Sequence, residues 1–265
     1  MAQTKIIRSV PEYLEAVKAR PFLFDLGTST VQPWYFGQPD AGSELLPAFY
    51  KSGINAELER EMLRDFRMLS AEFIPPKNVN DVEWLIHAHQ NGLATRIIEW
   101  MANPLAALYH AVESMSDAAH GKVWVFNPWL FNEMTGGIGY VPMIDSEPAG
   151  RYVVNLTDPA AYTTPTAEWP MAFRPYRNVR PYNTQGVYYT LHGFKKDPID
   201  QYRPLLRKRS DFITFMLIDA DRKKMIMKEL FEMNVTRLSL IPTLTSLTRT
   251  LTYRYSKDYV LTNIV

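Results

Sequence analysis

Residues 80–112 read NDVEWLIHAHQNGLATRIIEWMANPLAALYHAV, and this stretch changes its periodicity twice. Asn80 stands where a side-chain cap is needed, and Val82, Leu85, Ile86 and His89 recur at helical spacing behind it. Gly92 falls where a left-handed residue closes a helix. Thr95-Arg96-Ile97-Ile98 then reads as a short strand, and Asn103-Pro104 opens a second, apolar helix that runs through Val112. A helix, a strand and a helix within so short a span set the class as a mixture of both elements.

The flanks extend the pattern. Ser9 and Glu12 predict a capped helix to about Arg20, and residues 21–33 read as loop. Trp34-Tyr35-Phe36 predicts a strand stopped by Gly37. Leu58, Met62, Leu63, Phe66 and Leu69 predict a helix over 55–73, ended by Pro75-Pro76. Lys122 to Phe126 is a further strand. Eight prolines between 127 and 182 disfavour long helices, so that region is expected to hold elaborated loops and short strands. Strands over 187–191 and 212–218, a helix over 220–234 and a helical or mixed stretch over 240–255 complete the chain. Neither strict strand–helix alternation nor a repeat appears, which favours an α+β class in one domain over 1–265.

Composition removes several chemistries. The 265 residues include no cysteine, which excludes disulfides, thiolate metal sites and a cysteine nucleophile. His87 and His89 are about 200° apart on a helix, so they cannot chelate one ion, and no metal site is expected. There is no phosphate-binding loop of the Walker type, no dinucleotide fingerprint and no nucleophile elbow; Thr135 to Gly139 is glycine-rich but reads as a turn. Absence of a signal-like or membrane-spanning run points to a cytoplasmic location without membrane contact.

Net charge is +1, yet it is unevenly spread. Residues 151–210 hold ten basic side chains against four acidic ones. Within them, residues 174–182 double an Arg-Pro-Tyr unit and supply Arg174, Tyr176, Arg177 and Arg180. Guanidinium forks suit phosphates and tyrosine faces stack on bases, so these four are candidates for contacting a nucleic-acid acceptor. A solvated loop with ordinary aromatic packing would read the same.

Several elements together carry a resemblance. Residues 34–40 (WYFGQPD), 45–51 (LLPAFYK), 61–66 (EMLRDF), the central run 87–100 (HAHQNGLATRIIEW) and 103–112 (NPLAALYHAV) resemble the FRG-domain family in order and spacing. Later elements at Arg180 to Tyr188 and Met216 to Leu244 continue the likeness, which spans about residues 30–255. The family's central motif usually reads Ala-Gln-His-Tyr-Gly-Leu-Pro-Thr-Arg-Leu-Leu-Asp-Trp-Thr. This chain departs from it with His89-Gln90, Ala94, Glu99 and Met101, and it has Phe36 in place of the signature arginine.

The resemblance implies an ADP-ribosyltransferase-like split β-sheet core with flanking helices, binding NAD between two small sheets. It implies a toxin or phage-defence enzyme that passes ADP-ribose to a macromolecule, with an antitoxin or other protein as a further partner. It assigns catalysis to Glu99, Gln185 and Arg96. Cofactor contacts fall to Tyr35, Gln38, His89, Thr95 and Asn103. In this scheme Arg96 grips the diphosphate or else forms a buried ion pair with Glu99 or another carboxylate. Glu99 polarises the ribose or the acceptor, and Gln185, being neutral, only hydrogen-bonds. The substitutions at Phe36 and Met101 equally suit a binding module that has lost the chemistry and recognises a nucleotide or a protein. A nuclease reading lacks an acidic metal cluster.

Overall fold

A computed structural model describes residues 6–19, 32–73, 80–114, 118–153, 167–175, 186–202 and 212–260. Its core is one mixed sheet of seven strands: β1 (Ile6–Ile7), β2 (Trp34–Gln38), β3 (Ile97–Met101), β4 (Gly121–Phe126), β5 (Met171–Phe173), β6 (Val187–Leu191) and β7 (Ile213–Ile218). The spatial order is β1-β7-β4-β2-β3-β6-β5. Only β1 and β7 run parallel; every other neighbouring pair is antiparallel. The protein is therefore α+β, as expected.

Helices α1 (Val10–Lys18), α2 (Ala48–Lys51), α3 (Ala56–Leu69), α4 (Asp81–Gln90) and α5 (Pro104–Val112) precede β4. Helices α6 (Pro128–Gly136), α7 (Glu147–Gly150), α8 (Lys223–Glu232), α9 (Arg237–Leu240), α10 (Leu244–Arg254) and α11 (Lys257–Val260) follow it. The anticipated caps are present. Ser9 accepts from Glu12 N, Asn80 and Glu83 form a reciprocal capping box, and Asn103 accepts from Leu105 N. Gly92 is left-handed at φ 88°.

Three expectations need correction. Gly37 does not stop β2; the strand runs to Gln38. A Cβ on Gly37 would collide with the Ala107 carbonyl, so glycine lets α5 lie directly on the sheet. The region after 127 is not purely loops and short strands: Pro128 starts α6, with Asn127 accepting from the Trp129 and Leu130 amides. Proline is harmless at that first position because its missing amide hydrogen would have had no helical partner. Finally, the apolar stripe of α3 does not all turn inward. Leu58 and Leu69 are exposed, whereas Leu63 and Glu59 are buried.

The sheet is not uniformly zipped. β2 pairs with β4 along its whole length, Trp34–Phe126 through Gln38–Lys122, and β3 pairs likewise with β6. Between β2 and β3 there is a single register position, Tyr35 with Met101. Beyond it the strands part. Each half keeps its own apolar core on the helical face: Tyr35, Val123, Val125 and Met216 pack under α5 and α8, and Ile97, Tyr189 and Leu191 pack under α4. The opposite face is bridged by aromatic rings. Trp100 stacks on Phe126 at 4.4 Å, and Trp34 on Tyr188 at 4.4 Å. The sheet is thus pinned on one face and open on the other.

Candidate functional site

The open side forms a cleft of about 900 Å³. Its walls come from the free edges of β2 and β3, from α2, from the ends of α4 and α5, and from α9 and α10. From β3 it is lined by Ile97, Ile98, Glu99 and Met101. On β3, Ile97, Glu99 and Met101 share the helical face, whereas Ile98 and Trp100 lie in the aromatic core beneath.

Glu99 stands between α4 and α5. Its Oε2 lies 3.9 Å from His89 Nε2, and each side chain is 21% exposed. Burial pushes the Glu99 carboxyl up to about 7, against a smaller opposing pull from His110. Burial also pushes His89 down to about 4. At neutral pH His89 is therefore an uncharged imidazole, and its contact with Glu99 is not a salt bridge. Thr95 Oγ1 holds the other ring nitrogen at 2.9 Å, and the Tyr189 ring meets the imidazole edge-on. Thr95 is itself buried and acts by orienting His89.

One turn of α5 adds a second group. His110 Nδ1 lies 3.3 Å from Glu113 Oε2, and Glu113 Oε1 accepts from Arg237 Nη1. Burial alone would raise the Glu113 carboxyl. The hydrogen bond from His110, its charge, and the charges of Arg237 and Arg249 outweigh it and leave the group below its ordinary value. The cleft thus holds one carboxyl that titrates near neutrality and one held ionised, with Lys51, Arg237 and Arg249 on its walls. Among the described residues no group of three or more His, Asp or Glu side chains is arranged to hold a metal ion. No helix among them is long and apolar enough to cross a membrane.

Of the residues expected from the sequence, Glu99 and His89 line the cleft, with Thr95 directly behind. Arg96 does not line it. It is 4% exposed and is engaged at two nitrogens by Glu59 of α3, one of the bonds being 2.8 Å from Nε. Glu99 could never have been its partner, because residues three apart along an extended chain point to opposite faces. Tyr35 turns into the core under α5. Gln38 is buried, donating to the Glu44 carbonyl and accepting from Trp124 Nε1. Asn103 is occupied as the cap of α5. Tyr35, Gln38 and Asn103 are corrected from ligand contacts to structural roles, and Arg96 takes the buried-pair alternative with Glu59 as its carboxylate. Arg174 is exposed on β5's flank, where its backbone pairs with residues 142–144, away from the cleft. Gln185, Tyr176, Arg177 and Arg180 lie outside the described residues.

The sequence reading missed His110, Glu113, Arg237 and Arg249. The first two had a visible signal, an i, i+3 pair on one helix. The arginines sit far along the chain and had none.

No curated protein and no solved structure matches the chain. A family model does: residues 32–120 match the FRG domain. That span contains β2, β3, α4 and α5, hence both lips of the cleft and His89, Glu99, His110 and Glu113. Arg237 and Arg249 come from beyond it. The segment that builds the parted strands and their acid–histidine groups is thus the part of the chain that matches the FRG domain.

Proposed function

We propose that the cleft binds NAD and that the protein is an ADP-ribosyltransferase-like enzyme, transferring ADP-ribose to a macromolecular acceptor. One observation carries this reading. The sheet parts between β2 and β3, and Glu99 stands in the gap with its carboxyl titrating near 7. The cleft volume falls within the about 300–1,000 Å³ usual for ligand sites, and cationic side chains on its wall suit a diphosphate.

The chemistry asks for little covalent help. The bond between ribose C1 and the nicotinamide nitrogen breaks, and its electron pair leaves with nicotinamide. Positive charge develops on the ribose. An acceptor hydroxyl or amine adds to C1 and gives up its proton. Glu99 suits both moments, since its ionised form stabilises the ribose charge and takes that proton. A base poised near the working pH is the form of group that such a step uses best. Neutral His89 stands 3.9 Å from the Glu99 carboxyl on one side and adds no charge to it. Toxin or phage-defence character, a protein partner such as an antitoxin, and action in the cytoplasm belong to the same reading.

The acceptor we propose is nucleic acid, on the strength of the basic residues between 151 and 210. The test is to incubate the full chain with NAD labelled in its adenylate, in the presence of RNA, DNA or cell lysate. Label is expected on nucleic acid with the wild type and not with Glu99→Gln. Labelled protein would move the acceptor. Neither transfer nor nicotinamide release in any mixture would remove the enzymatic reading. NAD binding without turnover would leave the binding-module reading, which the apolar Phe36 and Met101 on the cleft wall already favour over tight polar grip at those positions.

A further inference from the structure

A second cavity, of about 260 Å³, lies behind the cleft between α5, α8 and α10. Tyr109, Met227, Phe231 and Tyr253 give it an aromatic and apolar side, and Thr236 and Thr250 add hydroxyl-bearing wall. Glu113, Arg237 and Arg249 line both cavities and so mark the boundary they share. Helix α5 is the partition. Tyr109 and Glu113 are one turn apart on the same side, and His110, one residue on, faces the main cleft.

The two cavities have an order. Glu99 is influenced by His110, His110 bonds Glu113, and Glu113 feels Arg237 and Arg249. The aromatic pocket lies past the last of these. It is therefore at the end of the site remote from Glu99, with cationic groups in between. Those cations differ. Arg237 is largely engaged, bonding Glu113 and Tyr109 and keeping only its buried Nε without a partner. Arg249 is exposed and has no hydrogen bond or ion pair with a described residue. A guanidinium with its donors uncommitted at a junction suits a phosphate. A small aromatic-walled pocket suits one heteroaromatic ring, because ring faces attract one another whatever the ring's substituents. The volume falls short of the roughly 300 Å³ that whole drug-sized ligands begin to need.

We infer that the pocket behind α5 receives the base of a nucleotide whose reactive end lies at Glu99, with Arg249 taking the phosphate between them. This rests on the proposed function for which end reacts. In the case of NAD, the pocket takes the adenine ring, the one that plays no part in bond breaking.

Calorimetric titration of the full chain tests it with three probes: 5′-AMP, ribose 5-phosphate and NAD. Two variants separate ring from phosphate, Tyr253→Leu in the pocket and Arg249→Gln at the junction. Tyr253→Leu is expected to weaken AMP and NAD about tenfold or more while leaving ribose 5-phosphate within about twofold. Arg249→Gln is expected to weaken all three about tenfold. Tyr253 packs on Phe231 and Tyr259, so its variant is first checked by thermal unfolding; the surface change at Arg249 carries the test alone if Tyr253→Leu fails to fold. No AMP binding by the wild type, or AMP binding unchanged in every folded variant, overturns the inference. AMP binding that follows the predicted pattern without any NAD turnover supports the pocket and removes the transferase instead. NAD turnover with AMP binding indifferent to both variants does the reverse.

Discussion

Arg96 immediately precedes β3 and Glu99 stands at its centre, yet the two side chains meet opposite surroundings. Arg96 is turned away from the cleft and sealed against Glu59, with Phe49 under its guanidinium at 5.7 Å. Glu99 lies in the gap between β2 and β3, where the sheet has come unzipped. Both are titratable groups largely withdrawn from water. The first has its opposite charge in direct contact. The second has only a neutral imidazole beside it and a more distant His110, so burial leaves its charge negotiable. The difference teaches where function is placed. A matched pair holds the scaffold, and an unmatched acid stands in the cleft where we place the proposed chemistry.

The largest expected effect breaks the sealed side. Glu59→Ala strands the Arg96 charge and is expected to cost about 3–5 kcal/mol, read by urea unfolding. Combining Glu59→Leu with Arg96→Met replaces the pair by apolar volume and is expected to restore much of that loss. A loss below about 1 kcal/mol in the single variant means that the pair is not dry.

On the open side, Glu99→Gln is expected to lower nicotinamide release about 100-fold or more while the fold persists. It also sharpens the electrostatic account through pH. Glu99 titrates near 7 when folded and near 4.5 otherwise. The folded state keeps its proton longer, so Glu99 favours folding most at low pH, and that contribution falls as pH rises from about 4.5 to 7. By pH 8 the ionised group costs at most about 3 kcal/mol, and Glu99→Gln is expected to be the more stable protein there. His89 and His192 act in the opposite sense. Burial pushes them down to about 4 and about 3, so the folded state resists protonating them and stability falls as pH drops below 6.5. Unfolding midpoints measured from about pH 5 to about pH 8 check both arms. Equal pH dependence in wild type and Glu99→Gln refutes the assignment.

A smaller effect tests the packing that keeps the two halves in place. Gly37→Ala drives a methyl into the Ala107 carbonyl and is expected to cost about 1–3 kcal/mol by overpacking, seen as a lower thermal midpoint. The smallest concerns Arg174. Its exposed side chain makes Arg174→Ala neutral for folding within about 0.5 kcal/mol. If that residue contacts acceptor phosphate, the salt dependence of nucleic-acid binding loses about one charge.

Much of the scaffold was legible because it depends on local chemistry. Asn80, Gly92 and Asn103 act within one turn of their own positions, and each behaves as its type predicts. The alternation through β3 was also legible, and applied strictly it already forbids an Arg96–Glu99 pair. Gly37 reads as a breaker in isolation; only the approach of α5 makes it a strand residue. Glu59 gave no sign of being buried, since its helix shows an apolar stripe that the structure leaves partly in water. The site was half readable for the same reason. Glu99 and His89 belong to one motif, whereas Arg237 and Arg249 reach the cleft through the fold of a distant segment that no local pattern announces.

The contrast between the two regions can be watched directly at the histidines. His89 and His110 face the cleft, His192 is sealed beside Arg96, and His120 is tied to Ala220 N at the far end of the sheet. Ring resonances followed by NMR while NAD is titrated into the full chain are expected to move for His89 and His110 and to stay fixed for His192 and His120. Silent His89 and His110 signals, or a response centred on His192, would contradict the placement of the working site in the parted strands.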